Sequence, residues 1–148
     1  MKIKNICSGF SLIEVLIFIS ILSLFFVVAA AVTTASLRNM KINEHKILAT
    51  RYAEELLEWL RSQKEIDWND FVNTYSNKTY CFNISPISDW SIIEAECSDI
   101  QLINLLYKRN LRLANTVGTQ VNVSIIVSWN EPGGTYTFPI KTVFSIWE

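Results

Sequence analysis

The chain has 148 residues, half of them hydrophobic and 18% charged, with a formal net charge of −1. That balance exerts no general pull on nucleic acid, and four glycines (Gly9, Gly118, Gly133, Gly134) leave no phosphate-cradling loop or dinucleotide fingerprint. One histidine and three cysteines make no convincing zinc site, which wants four ligands at characteristic spacing. His45 has no nucleophile-elbow pattern to serve, so the composition argues against most enzymes and implies no cofactor.

From Val15 to Val32 the chain reads VLIFISILSLFFVVAAAV, eighteen residues without a charge. As a helix this run spans roughly 27 Å, close to the ~30 Å hydrocarbon core of a bilayer. Helices of globular proteins seldom stay apolar around the whole circumference for so many turns, so the run predicts membrane insertion. Three membrane segments fit: a cleaved secretory signal, a permanent anchor, or a specialised leader. A secretory signal has an apolar core of about 7–15 residues, shorter than this one, although Ala29-Ala30-Ala31 could imitate its cleavage site. Glu14 is the odd feature. It is the single ionisable side chain in residues 10–32, and a carboxylate at a helix centre is disfavoured by about 2.5–3.5 kcal/mol on insertion scales. An ordinary anchor gains nothing from carrying it.

Lys2-Ile3-Lys4 followed by Gly9-Phe10-Ser11-Leu12-Ile13-Glu14-Val15-Leu16 resembles the class III leader of type IV pilins and type II secretion pseudopilins. The shared elements are a short basic leader, a glycine before the cut, an aromatic first mature residue, a glutamate four residues on, and the apolar stretch beyond. The resemblance implies cleavage between Gly9 and Phe10 by prepilin peptidase, followed by N-methylation of Phe10. It also implies assembly with other pilin subunits by an inner-membrane platform that has its own ATPase. In the fibre, the Glu14 carboxylate would face the Phe10 amine of a neighbour. Such a buried pair is costly to separate and therefore fixes register. Removing residues 1–9 takes away Lys2, Lys4 and Cys7, leaving 139 residues, 11 basic and 14 acidic groups, and a side-chain charge of −3. Flanking charges do not orient the span, because Lys2 and Lys4 on one side face Arg38, Lys41 and Lys46 on the other. The placement of the C-terminal part outside the cytoplasm follows from the resemblance alone. The expected division is a leader at 1–9, a transmembrane and polymerisation helix at 10–36, and an extracytoplasmic head at 37–148.

No proline or glycine occurs between Phe10 and Ile84, so the helix is expected to continue to about Lys64, a rod of roughly 80 Å. At 100° per residue, Leu48, Ala49, Tyr52, Ala53, Leu56, Leu57, Trp59 and Leu60 fall on one half of it. Thr50, Arg51, Glu54, Glu55, Glu58 and Arg61 fall on the other, which predicts docking on an apolar surface. Residues 66–80 are polar and turn-rich and read as a loop.

From Leu105 the period becomes two. Leu105, Tyr107, Leu111 and Leu113 share one face of a first strand, and Val121, Val123, Ile125, Val127 and Trp129 share one face of a second. Tyr136, Phe138, Ile140, Phe144 and Ile146 share one face of a third. Turns are expected at Asn115–Gly118 and Asn130–Gly134. The fold class is α+β: a long helix packed on a small antiparallel sheet at about 105–147, which also fits the pilin pattern. The run Val121–Trp129 ahead of a turn and a last strand resembles minor pilins of the pilus-modification type.

Cys81 and Cys97 enclose 15 residues. They are either a disulfide, worth roughly 3 kcal/mol in the chain-entropy model, or two buried thiols, and an oxidising compartment favours the first. Many pilins staple a loop nearer the C-terminus, so this mid-chain position departs from their pattern. Tyr107-Lys108-Arg109-Asn110-Leu111-Arg112 interleaves an aromatic with basic residues, as single-strand binding would need. Lys108, Asn110 and Arg112 alternate outward as a strand's solvated face would, and three charges are a small footprint for DNA. Three Asn-x-Ser/Thr matches, at Asn77, Asn83 and Asn122, are treated as chance, and His45 as a surface helix residue. The leading function is a structural subunit of a bacterial type IV pilus, a minor pilin. The alternatives are a secretion pseudopilin and an uncleaved, single-pass anchored binding domain.

Overall fold

The computed structural model of the protein describes residues 11–91, 93–115 and 119–147. Among the described residues six elements follow one another: α1 (Leu12–Ile66), α2 (Trp68–Tyr75), β1 (Thr79–Cys81), β2 (Lys108–Asn115), β3 (Gln120–Glu131) and β4 (Gly134–Ser145). Contacts divide the chain into two compact units, Met1–Lys41 and Ile42–Glu148.

In the first unit α1 is apolar on every side and almost wholly exposed, as Leu12, Phe18, Leu24, Phe25 and Val32 illustrate. It is the single helix among the described residues that is long and apolar enough to cross a membrane. Between residues 12 and 34 its hydroxyls need no water. Ser20 donates to the carbonyl of Leu16, Ser23 to that of Ser20, Thr33 to that of Ala29 and Thr34 to that of Ala30, each at 2.8 Å. Satisfying side-chain polar groups inside the helix is what an apolar surrounding demands.

In the second unit the same helix becomes one-sided. Ala49, Ala53, Leu56 and Leu60 are buried, a stripe at i, i+4, i+7 and i+11, while Leu48, Tyr52, Leu57 and Trp59 flank it half-buried. The stripe lies in one core with the inner face of an antiparallel four-stranded sheet ordered β1-β2-β3-β4. Val121, Val123, Ile125, Val127 and Trp129 all point inward from β3, so the period of two read from the sequence is the period of burial. β3 and β4 pair from Gln120–Ser145 to Glu131–Gly134. In the turn between them Pro132 presets its own φ, and Gly133 and Gly134 take φ of 132° and 142°, values that side chains disfavour.

Residues 66–80 are not a loop throughout. Asp67 leaves the helical region at φ −154°, which ends α1, and its carboxylate accepts from the Asp70 amide at 2.9 Å, which caps α2. Phe71 and Val72 then bury the inner side of α2. Thr79–Cys81 adds a short strand on the edge of β2. The first sheet strand of the expected set also starts later, at Lys108. Leu105 is not on it; Ile103–Leu106 is a tight turn, closed by Leu106 N–H to the Ile103 carbonyl at 3.1 Å.

Residues 82–107 join β1 to β2, with no helix or strand among the described residues, a long connection for a small domain. Trp90 anchors it. Its indole stacks on Tyr75 with centroids 3.7 Å apart and meets Trp59 at 5.0 Å, Tyr80 at 5.7 Å and Phe71 at 6.0 Å. A disulfide joins Cys81 to Cys97, with Cα atoms 4.8 Å apart.

Candidate functional site

Gly9 and Phe10, the residues expected at the cleavage point, lie outside the described residues. Glu14 sits in the first turn of α1, where its amide donates to the Ser11 carbonyl at 3.0 Å. A carboxylate at this end of a helix is favoured by the partial positive charge of the unpaired amides. Glu14 is exposed, and no hydrogen bond or ion pair holds its side chain among the described residues. Every other polar side chain in residues 20–34 is tied to a carbonyl of its own helix. Among residues 12–34, Glu14 is therefore the one polar side chain that needs a partner from elsewhere when water is withdrawn.

The head brings together charges that the sequence scattered. Arg109 projects inward from β2 and its side chain is completely buried. Its Nη1 donates to Glu55 Oε2 at 2.8 Å and to the Tyr52 carbonyl at 2.9 Å. Nη2 donates to the Ile84 carbonyl at 2.6 Å and Nε to the Phe82 carbonyl at 3.2 Å. Burial lowers the Arg109 pKa from the usual arginine value, against the pull of the adjoining Glu55 carboxylate. Glu55 also accepts from Ser85 Oγ and from the Ile87 amide at 3.1 Å. One ion pair thus ties α1, β2 and the start of the long connection together.

His45 is not a free surface residue either. Its Nε2 lies 2.9 Å from Glu131 Oε1 and its Nδ1 2.6 Å from the Tyr107 hydroxyl. Tyr107 is buried and its pKa is pushed up to about 12, chiefly by desolvation and then by Tyr52, Glu44 and Glu131.

The basic run at 107–112 does not form a nucleic-acid stripe. Tyr107 and Arg109 are buried, Lys108 pairs with Asp99 at 2.5 Å, and Asn110 Oδ1 accepts from the Cys97 amide at 2.7 Å. The Lys108 ammonium in turn holds the Asp99 carboxyl below its ordinary pKa. Arg112 alone of the three cations stays exposed. The sequence places Arg109 in a basic run and Glu55 on the polar half of the helix, and does not show that they pair. The signal was the parity of Arg109, which shares the inward face with Tyr107, Leu111 and Leu113.

A family model described as the prokaryotic N-terminal methylation motif matches residues 4–30, under a fifth of the chain. No curated protein matches, and no solved structure does. With that motif leading into a long apolar helix, and with the helix packed further on against an antiparallel sheet, this chain is a membrane-anchored, type IV pilin-like protein.

Proposed function

We propose that this chain is a minor pilin of a bacterial type IV pilus. It is cut between Gly9 and Phe10 by prepilin peptidase, N-methylated on Phe10, and polymerised with other pilin subunits through residues 10–32. Before assembly it is a single-pass protein of the inner membrane with its head outside the cytoplasm. An assembly platform with a separate ATPase supplies the work. The observation that carries this reading is the prokaryotic N-terminal methylation motif over residues 4–30. Glu14 supports it physically: an unpartnered carboxylate at the start of an apolar span is costly unless a cation meets it, and a processed neighbour offers the Phe10 amine.

Mass spectrometry of the protein from membranes and sheared filaments tests the reading. The expected amino terminus is Phe10 carrying about 14 Da for one methyl group. A chain that still begins at Met1 overturns it. Gly9→Leu should block processing, because a bulky side chain replaces the hydrogen that a tight protease subsite accepts, and maturation of this variant at the normal rate is the contrary result.

A further inference from the structure

We infer that Arg38 and Lys41 bind the phosphate of an anionic phospholipid at the surface of the membrane that α1 crosses. The inference needs only that the chain is anchored in a bilayer, and it holds whether or not copies polymerise.

α1 has no break between Leu12 and Ile66, so positions along it follow from a helical rise of ~1.5 Å per residue. The apolar run ends at Val32. Thr33 and Thr34 satisfy their hydroxyls inside the helix, and the first charges after the run are Arg38 and Lys41. Their Cα atoms lie roughly 9 and 13.5 Å past that of Val32. In a bilayer with ~30 Å of hydrocarbon and about 40–45 Å overall, the headgroup zone of one leaflet is about 5–7 Å thick. The backbone alone would leave both residues at or beyond the outer limit of that zone.

Side-chain direction brings them back. Every Cα–Cβ bond in an α-helix tilts toward the helix N-terminus, and the N-terminal end of α1 is the apolar one. Arg38 and Lys41 therefore lean toward the bilayer. Their long stems lie along apolar surface and carry the charges down to the level of the phosphates. Leu37 and Met40, both well exposed, supply apolar surface beside them.

Charge selects the ligand. Arg38 and Lys41 stand three residues apart on one side of the helix, with Cβ atoms about 5–6 Å from each other. Both are exposed. Like charges at this spacing repel, and an anion seated between them removes the repulsion. No acid lies between Glu14 and Glu44, and Lys41 makes no ion pair among the described residues. Glu44, the nearest acid along the chain, is close enough to Tyr107 to help raise its pKa. The part of α1 that emerges from hydrocarbon thus carries cations and no acid. A free phosphate offers the same chemistry, but a lipid phosphate is held at the depth that the two side chains reach. Lys46 differs. It stands five residues beyond Lys41, within the head unit, too far along for its stem to return to that level.

Electron spin resonance of spin-labelled lipid beside the full chain in phosphatidylcholine vesicles tests the contact. The background carries Lys2→Gln and Lys4→Gln, which removes the cations ahead of the span. At low salt the immobilised lipid shell should prefer spin-labelled phosphatidylglycerol over spin-labelled phosphatidylcholine by about 2–5-fold, and high salt should screen the preference away. Arg38→Gln combined with Lys41→Gln should abolish it. The shell of phosphatidylcholine should stay the same size in that variant, which shows that the chain is still inserted. Lys46→Gln should keep the preference, and so should the charge-retaining pair Arg38→Lys with Lys41→Arg.

No preference in the background chain overturns the inference. So does a preference that survives the double glutamine variant, one that Lys46→Gln removes equally, or one that the charge-retaining pair loses. Abolition by inorganic phosphate at constant ionic strength also overturns it, because the cations would then hold a free anion. Filament formation enters none of these readings, so their failure leaves the function proposed above standing, and failure of that function leaves them unchanged.

Discussion

Replacing Glu55 with alanine leaves the Arg109 guanidinium buried with three carbonyl acceptors and no countercharge. Breaking a buried ion pair by removing one partner costs about 3–5 kcal/mol. Here the Glu55 side chain keeps 28% of its exposure, so water reaches one side of the pair and reduces the cost to about 2–3 kcal/mol. The Ser85 hydroxyl and the Ile87 amide lose their acceptor as well, which adds about 0.5–1.5 kcal/mol. A total near 3 kcal/mol in a domain of this size corresponds to a fall of about 12–24 °C in Tm. Far-ultraviolet circular dichroism of residues 42–148 measures it, with urea titration at 25 °C as the second reading. Glu55→Gln, which keeps an acceptor without the charge, should lie between the two. A fall under about 3 °C for Glu55→Ala would show that the cation is served by its carbonyls alone, and the ion pair would lose its place as the fastening of the head.

Trp90→Ala should cost about 3–5 kcal/mol and flatten the near-ultraviolet circular dichroism, since the indole packs against Tyr75, Trp59, Tyr80 and Phe71. Tyr80 and Tyr107 have pKa values pushed up to about 12 from 10.0; the folded state favours their neutral forms, so stability should hold up to about pH 10 and fall between pH 10 and 12, where the unfolded chain ionises first. Ionisation of all tyrosines near pH 10, followed by absorbance, would contradict this. Cys81→Ser together with Cys97→Ser should lower stability by about 3 kcal/mol, and labelling of both thiols in protein from intact cells would show that no bond forms there. Glu14→Leu should leave membrane insertion and cleavage intact while incorporation into sheared filaments drops sharply; unchanged incorporation by quantitative blotting removes the register role from this carboxylate.

The parts of the fold legible in the sequence are those with a long period. Leu48 to Leu60 repeat over more than three turns, and Val121 to Trp129 alternate five times, so both faces emerge from position alone. The eight residues of α2 and the three of β1 are too short to show a period. The local sign of α2 was its cap, Asp67 ahead of Asp70 and the apolar pair Phe71-Val72, which composition disguised as a polar loop. Leu105 has the parity of Tyr107 and Leu111, yet the turn ahead of β2 reverses the chain, and parity does not carry across a turn. Arg109 was hidden for the opposite reason. Its parity pointed inward while its charge suggested water, and only the arrival of Glu55 from a helix 54 residues away lets the charge be buried.

The hydroxyls folded back onto α1 have a consequence for energetics at the scale of the whole span. With Ser20, Ser23, Thr33 and Thr34 each bonded to a carbonyl of their own helix, the outer surface presents one chemistry to any non-aqueous medium. Lipid tails and neighbouring aliphatic helices are equivalent solvents for such a surface, since hydrocarbon gains little by exchanging one for the other. The partition between the two media is then near unity for everything on the span except one carboxylate. On the filament reading proposed above, exchange between the two media is then close to neutral in free energy apart from that carboxylate, and a small bias at one end is enough to set its direction.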